Sequence, residues 1–190
     1  MEVRRRHRRA YRAGVTTELL SALGDQKRLA VLGALCTTTA ASATAASTVA
    51  DLQDRTGLSE RDVQRALAVL GGAGLVSRDS AGLRADLEPI RAAAAAAVAA
   101  TPVGRVAADF PRLDGCLKNG RIATIPADDR LKAEVGRLVM AALPHRDGYT
   151  ERELTTELAA LGDEPVSLRR LLVDLRLVER NPDGSRYWPA

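Results

Sequence analysis

Aromatic side chains are nearly missing from this chain: one Phe, one Trp and three Tyr among 190 residues. A core without rings must be aliphatic, and Leu, Val and Ala make up most of the 46% that is hydrophobic. Strands recruit aromatic and β-branched residues, so this bias favours helices over a sandwich or barrel. Cysteine is equally scarce. Cys36 and Cys116 stand far apart in the chain, which is no disulfide framework and suits free thiols in the cytoplasm. Lysine is rare as well, with three against twenty-five arginines, a ratio that reads first as the codon bias of a GC-rich genome. No apolar run approaches the ~20 residues that span a bilayer, and no apolar segment follows the charged start. Neither a membrane partner nor a signal peptide is expected.

Catalytic signatures are missing too. There is no Gly-x-Ser-x-Gly, no glycine loop to cradle phosphates and no His-Glu-x-x-His. His7 and His145 have no cysteine or carboxylate at metal-ligand spacing. Tyr149, Glu151 and Glu153 imitate an acid–base cluster, but helix capping accounts for them more simply. The expectation is no enzyme, no metal and no cofactor.

Charge is present but unevenly placed. The net charge is +4, and residues 1–13 alone hold six arginines against Glu2, so the rest of the chain is close to neutral. Attraction to a polyanion from overall charge therefore lives in this arm, which has no apolar periodicity and reads as disordered when alone.

Beyond the arm the patterns are helical. A helix starting near Thr16 or Thr17 carries Leu19, Leu20 and Leu23, and a second repeats Leu29, Leu32 and Leu35 at three-residue spacing. Thr37–Ser47 is only Ala, Thr and Ser, and reads as a mobile connection. Thr48 then caps a short helix ended by Gly57. Ser59 caps the next, over about Ser59–Leu70, with Val63, Leu67 and Leu70 inward. Glycines lead into a hairpin that turns at Ser80-Ala81-Gly82. An alanine helix follows over 88–100, then a linker over Thr101–Pro111. The second half begins with a strand, Arg121–Ile125, and a helix from about Asp129 to Leu143. Thr150 with Glu153 is a capping box before Leu154, Leu158 and Leu161. Leu168, Leu171, Leu172 and Leu175 mark another helix, and Asn181-Pro182-Asp183-Gly184 is a hairpin turn. Folding back there brings Tyr187 and Trp188 over the core, with Trp188 expected to sit buried against Leu171, Leu172 and Leu175.

Helix, turn, helix, hairpin is the winged-helix order. The two halves also match without a gap at an offset of 102 residues: Leu52 on Leu154, Leu70 on Leu172, Leu75-Val76 on Leu177-Val178, Arg78 on Arg180 and Gly82 on Gly184. The expected fold is mainly α with small β-hairpin wings, two winged helix-turn-helix domains in tandem. Residues 1–13 form the arm, 14–87 the first domain, 88–111 the alanine-rich helix and linker, and 112–190 the second domain.

The segment from Leu20 to Leu32 resembles the opening of ArsR-type transcription regulators, and so does Leu58-Ser59 through Gly74-Leu75-Val76, which looks like their recognition helix and the start of the wing. The C-terminal half resembles a bacterial domain of unknown function, the 2087 type, often joined to such regulators. The matching stretches are Gly120-Arg121-Ile122 with Ile125-Pro126, Tyr149–Glu153, Leu168–Val173, and Asp183-Gly184 with Tyr187-Trp188. Thr155 stands where that family usually has Asn, and the basic cluster after its proline is thinned to Asp128-Asp129-Arg130. The paired cysteines of metal-sensing ArsR members are missing. The resemblance implies DNA binding and dimerisation through terminal helices.

Candidate contacts follow from the chemistry. Arg61 and Arg65 suit guanine and Gln64 suits adenine in a major groove. Thr48 and Ser59 offer hydroxyls and helix N-terminal amides to phosphates. Arg78 and Arg84 lie on the first wing, and Arg169 and Arg170 on the second equivalent helix. Glu60 and Asp62 oppose the first set, and Glu164, Asp174 and Glu179 the second, so ordinary solvated faces are the competing reading. The alanine helix can pack against a copy of itself, or serve as a spacer. The sequence therefore predicts a transcription regulator whose partners are double-stranded DNA and a second copy of itself. A winged-helix module for protein partners is the alternative, and a small enzyme or ligand sensor a third. The sequence names no effector, small molecule or protein.

Overall fold

The computed structural model describes residues 16–41 and 47–190, so the arm expected over 1–13 lies outside the described residues. The chain is mainly helical with small antiparallel hairpins, and it divides into two units between Ala95 and Ala96.

In the first unit, helix α1 covers 16–23 and α2 covers Gln26–Ala41. The Asp25 carboxylate accepts the Arg28 amide at 3.0 Å as α2 begins, while the Arg28 guanidinium donates back to the Ala22 and Ser21 carbonyls, closing the end of α1. Helix α3, Val49–Thr56, opens on a capping box between Thr48 and Asp51 and ends at Gly57, whose φ of 68° is left-handed. Helix α4, Glu60–Gly72, is capped by Ser59. Strands β1, Val76–Asp79, and β2, Gly82–Ala85, pair antiparallel, with the Asp79 carboxylate accepting the turn amides of Ala81 and Gly82. Ser47, buried, exchanges backbone bonds with Leu83 at 3.0 and 2.9 Å and adds a one-residue third strand. Helix α5, Glu88–Ala100, follows, and the division of the chain falls inside it.

The first core is Leu19, Val31, Leu35, Leu52, Leu70 and Leu75 with their neighbours. Leu20 and Leu29, expected inside, are 67% and 49% exposed. In α2 a strict three-residue repeat drifts off a face whose period is 3.6, so Val31 takes the inward place with Leu32 and Leu35. In α1, Leu19 and Ala22 face inward and Leu20, next to Leu19, is turned away. The connection expected over Thr37–Ser47 is helical where it starts. Residues 37–41 continue α2, with the Thr37 and Thr38 hydroxyls bonding back to the Ala34 carbonyl and accepting from the Arg55 guanidinium. Hydroxyls satisfied within the helix do not compete with it.

The second unit starts with helix α6, Pro102–Val106, and two 3₁₀ turns, Ala107–Asp109 and Pro111–Cys116. This is the stretch expected to be a linker. It is instead ordered by burial, since Val103 and Leu113 have no exposed surface. Thr101 caps α6, and its hydroxyl also lies 2.8 Å from the Gly120 carbonyl. Gly104 packs so tightly that a Cβ there would sit 1.9 Å from the Val98 carbonyl oxygen. Pro102 starts this helix, where its missing amide costs nothing. Strands β3, Leu117–Lys118, and β4, Arg121–Ile122, form a short hairpin. The strand expected to reach Ile125 stops at Ile122 because the amides of Ala123 and Thr124 both turn to the Cys116 carbonyl. Helix α7 is Asp129–Ala142, β5 Tyr149–Thr150, α8 Glu151–Leu161, α9 Pro165–Asp174, β6 Val178–Arg180 and β7 Arg186–Pro189. The last sheet has the order β5-β7-β6.

The offset of 102 residues reappears in the elements. Helix α2 corresponds to α7, α3 to α8, α4 to α9 and β1 to β6. Thr48 and Thr150 both make capping boxes, and Leu52, Leu154, Leu70 and Leu172 all have no exposed surface. Both third helices close alike: Leu75 donates to the Leu70 carbonyl at 2.8 Å and Leu177 to Leu172 at 2.9 Å. The residue before each, Gly74 at φ 73° and Arg176 at φ 54°, is left-handed.

Trp188 is not the core residue expected. Side chains alternate along β7, so Tyr187 and Trp188 point to opposite faces and only one can enter. Tyr187 is 3% exposed, while Trp188 lies half-buried on the outer face, its indole N–H donating to Glu179 at 3.0 Å. Tyr187→Ala is expected to destabilise the second unit by about 3–5 kcal/mol, as loss of a buried ring does. Trp188→Ala should cost about 1 kcal/mol or less. Urea unfolding of the two variants measures both, and equal losses would place Trp188 back in the core.

Candidate nucleic-acid interface

Helix α4 packs Val63, Ala66, Leu67 and Leu70 inward, which turns Arg61, Gln64, Arg65 and Ala68 to solvent along one stripe. Arg61, Gln64 and Arg65 make no hydrogen bond or ion pair among the described residues. The acidic side chains of the first turn are treated differently. Asp62 receives Lys27 Nζ of α2 at 2.9 Å and the Ser59 hydroxyl at 3.0 Å. Lys27 first, then Ser59, holds its carboxyl below the ordinary carboxylate range. One of the two negative charges beside the arginines is thus matched from another helix, and Glu60 stays exposed.

Thr48 and Ser59 are where expected, at the starts of α3 and α4, but their hydroxyls are engaged. Thr48 donates to the Asp51 carboxylate at 2.8 Å and accepts the Asp51 amide at 3.2 Å. Ser59 does the same with Asp62. A phosphate approaching either hydroxyl meets a carboxylate beside it. Thr48, through its backbone amide and then its hydroxyl, also holds the Asp51 carboxyl low.

On the wing, Arg78 is exposed and shares with Gln64, Ala68 and Ser77 a crease of about 270 Å³ between α4 and the hairpin. Helix and hairpin thus offer polar side chains to one groove. Arg84 turns back toward the hairpin turn, its Nε 3.7 Å from the Asp79 carboxylate.

Helix α9 differs. Arg169 Nη1 lies 2.6 Å from the Glu151 carboxylate and 2.9 Å from the Thr155 hydroxyl, and its guanidinium covers the Tyr187 ring at 5.6 Å. Its side chain is only 17% exposed, so it belongs to the packing of its own unit. Thr155 supplies the oxygen that receives it. Arg170 is exposed and makes no hydrogen bond or ion pair among the described residues. At the 102-residue offset, Arg61, Gln64 and Arg65 fall on Asp163, Val166 and Ser167, and Asp163 is paired to Arg121 at 3.0 Å. The arginines of the two third helices therefore occupy different places.

Sequence reasoning missed Arg121 as a helix cap. Its guanidinium donates to the Gly162 and Ala160 carbonyls at 2.8 and 3.2 Å, closing the C-terminus of α8. It also missed the Lys27–Asp62 pair. Neither follows from local spacing, since the partners lie 41 and 35 positions away.

Residues 121–189, from β4 to β7, match the model of a family described as an uncharacterized protein conserved in bacteria (DUF2087). This is the family that the C-terminal half resembles on its motifs. The resemblance of the N-terminal half to ArsR-type regulators has no counterpart among the family models. No curated protein and no solved structure matches the chain.

Two outcomes follow. Arg169→Ala is expected to lower the stability of the second unit by about 1–3 kcal/mol through the lost ring contact and charged hydrogen bonds, with Arg170→Ala unchanged. Unfolding midpoints in urea compare them directly. The second concerns pH. The Asp62 carboxyl is depressed in the folded chain, so its contribution is present above the ordinary carboxylate range and lost as pH falls through the depressed value. The stability gap between the wild type and Asp62→Asn should therefore be widest near neutrality and close on acidification. A gap that stays constant down to about pH 2 contradicts the assignment.

Proposed function

We propose that this chain is a DNA-binding transcription regulator built from two winged-helix units, with α4 entering the major groove. The observation that carries this reading is the outward stripe of Arg61, Gln64 and Arg65, which makes no hydrogen bond or ion pair among the described residues, on a helix whose other face is packed. Arg presents two donors to guanine and Gln a donor and acceptor to adenine, which gives this stripe the chemistry of base recognition. Arg78 on the hairpin, at the same crease as Gln64, is placed for the adjoining backbone.

The element order supports the winged-helix reading. In each unit a long helix is followed by a short strand or bridge, two helices and a hairpin. The resemblance of Leu20–Leu32 and Leu58–Val76 to ArsR-type regulators agrees with it. The second unit has Asp163, Val166 and Ser167 at the positions equivalent to the stripe, so base reading is assigned to the first unit alone. A homodimer completes the proposal. Helix α5 has no buried residue, and its small side chains let a second copy approach, presenting two α4 helices to two half-sites.

The test is binding to the DNA upstream of the chain's own gene, followed by fluorescence anisotropy at rising salt. Arg65→Ala should cost about 1–3 kcal/mol at the cognate site if it reads a base, and Arg61→Ala and Gln64→Ala should relax sequence preference. Arg170→Ala should change nothing. Removing residues 1–12 should flatten the salt dependence, by about 0.9 in log–log slope for each phosphate that the arm neutralises. Unchanged affinity in all three α4 variants would replace this reading with a winged-helix module for protein partners.

A further inference from the structure

The second unit holds a cleft of about 380 Å³ that the DNA-binding reading does not use. Three elements of that unit wall it: α6, the end of α7 with Leu143 and Pro144, and the last turns of α8. Its volume lies in the range of about 300–1,000 Å³ usual for small-molecule sites. Val106, Leu143 and Leu161, all part of or packed on the core, make an apolar floor. Ala141, Ala142 and Ala160 line the remainder, and their methyl groups leave open the space that longer side chains would fill.

Two charged side chains reach this cleft, and they are not equivalent. Glu157 is already matched, since Arg146 Nη2 lies 3.1 Å from its carboxylate and Arg146 in turn rests over the Tyr149 ring. Arg105 is exposed and makes no hydrogen bond or ion pair among the described residues. The mouth therefore carries one uncompensated positive charge beside an apolar floor. A guanidinium in that setting selects a planar oxyanion, because its parallel donors match a carboxylate in two bonds. The floor selects a hydrocarbon body behind it.

We infer that this cleft binds a small amphiphilic carboxylate, its head group on Arg105 and its hydrocarbon on Val106, Leu143 and Leu161. The site is built before the ligand arrives. Thr101 caps α6 and reaches Gly120, and Gly104 is locked against the Val98 carbonyl, so the wall carrying Arg105 is held in place. A site that needs no ordering on binding retains more of its contact energy as affinity.

Octanoate and benzoate are the probes, titrated into the full chain by calorimetry and followed by saturation-transfer NMR, with 1-octanol and octylamine as controls of matched shape. Saturable one-site binding of either carboxylate is expected, with octanol about tenfold weaker or more and octylamine silent, as loss of one charged contact implies. Arg105→Gln, at an exposed position, should weaken the carboxylate about tenfold or more without moving the melting temperature. Ala160→Phe should fill the cleft and abolish binding. No saturable binding of either carboxylate would overturn the proposal. So would undiminished affinity in Arg105→Gln, or in Ala160→Phe. None of these readouts involves DNA, so the regulator reading can fail while this one stands.

Discussion

Each unit depends on how its third helix ends. The bonds from Leu75 to Leu70 and from Leu177 to Leu172 turn the chain out of α4 and α9 at a left-handed residue and lay the hairpin against the helix just completed. Leu70, Leu75 and Leu172 lie in the core, so the turn and the packing reinforce each other. Without that reversal the crease shared by Gln64 and Arg78 would not exist, nor would Tyr187 return over the second core. Gly74 makes the turn at little steric cost. Arg176 makes the same turn with a side chain, which surrounding packing can enforce at a cost of order 1–3 kcal/mol.

At the 102-residue offset the two units match on their insides and differ on their outsides. The capping boxes and inner leucines recur at the same offset, while the stripe of α4 becomes Asp163, Val166 and Ser167. Packing density constrains buried positions tightly, because a single lost methylene leaves a cavity. An exposed position is constrained only by what it touches in solution. The two units therefore differ in the side chains that they present to solvent, not in the way that their cores are built.

Arginine content is a poor measure of nucleic-acid contact here. Arg28 and Arg121 close helix ends by donating to carbonyls, Arg55 holds two threonines of α2, and Arg169 is sandwiched between a carboxylate and a ring. The fork of donors that suits a phosphate equally suits a helix C-terminus. The arginines available to a partner are those that remain, such as Arg61, Arg65, Arg78 and Arg105.

Much of this was local and therefore readable from residues in order. Caps at Thr48, Ser59 and Thr150 act over three positions, the turns at Gly57 and Gly184 need only their own backbone, and a 3.6 period marks the leucine faces of α4, α8 and α9. The mainly α class with hairpins, the repeat and the α4 stripe followed from these. Other features had no local signal. Leu20 and Leu29 face out, 101–111 folds around Val103, and Trp188 yields the interior to Tyr187. Whether Arg169 is available, whether Asp62 is neutralised and where the Arg105 cleft opens depend on residues many positions away. Local hydrogen bonds and periodicity are written into neighbouring residues. Side-chain availability is a property of distant elements brought together, and only the tertiary structure decided it.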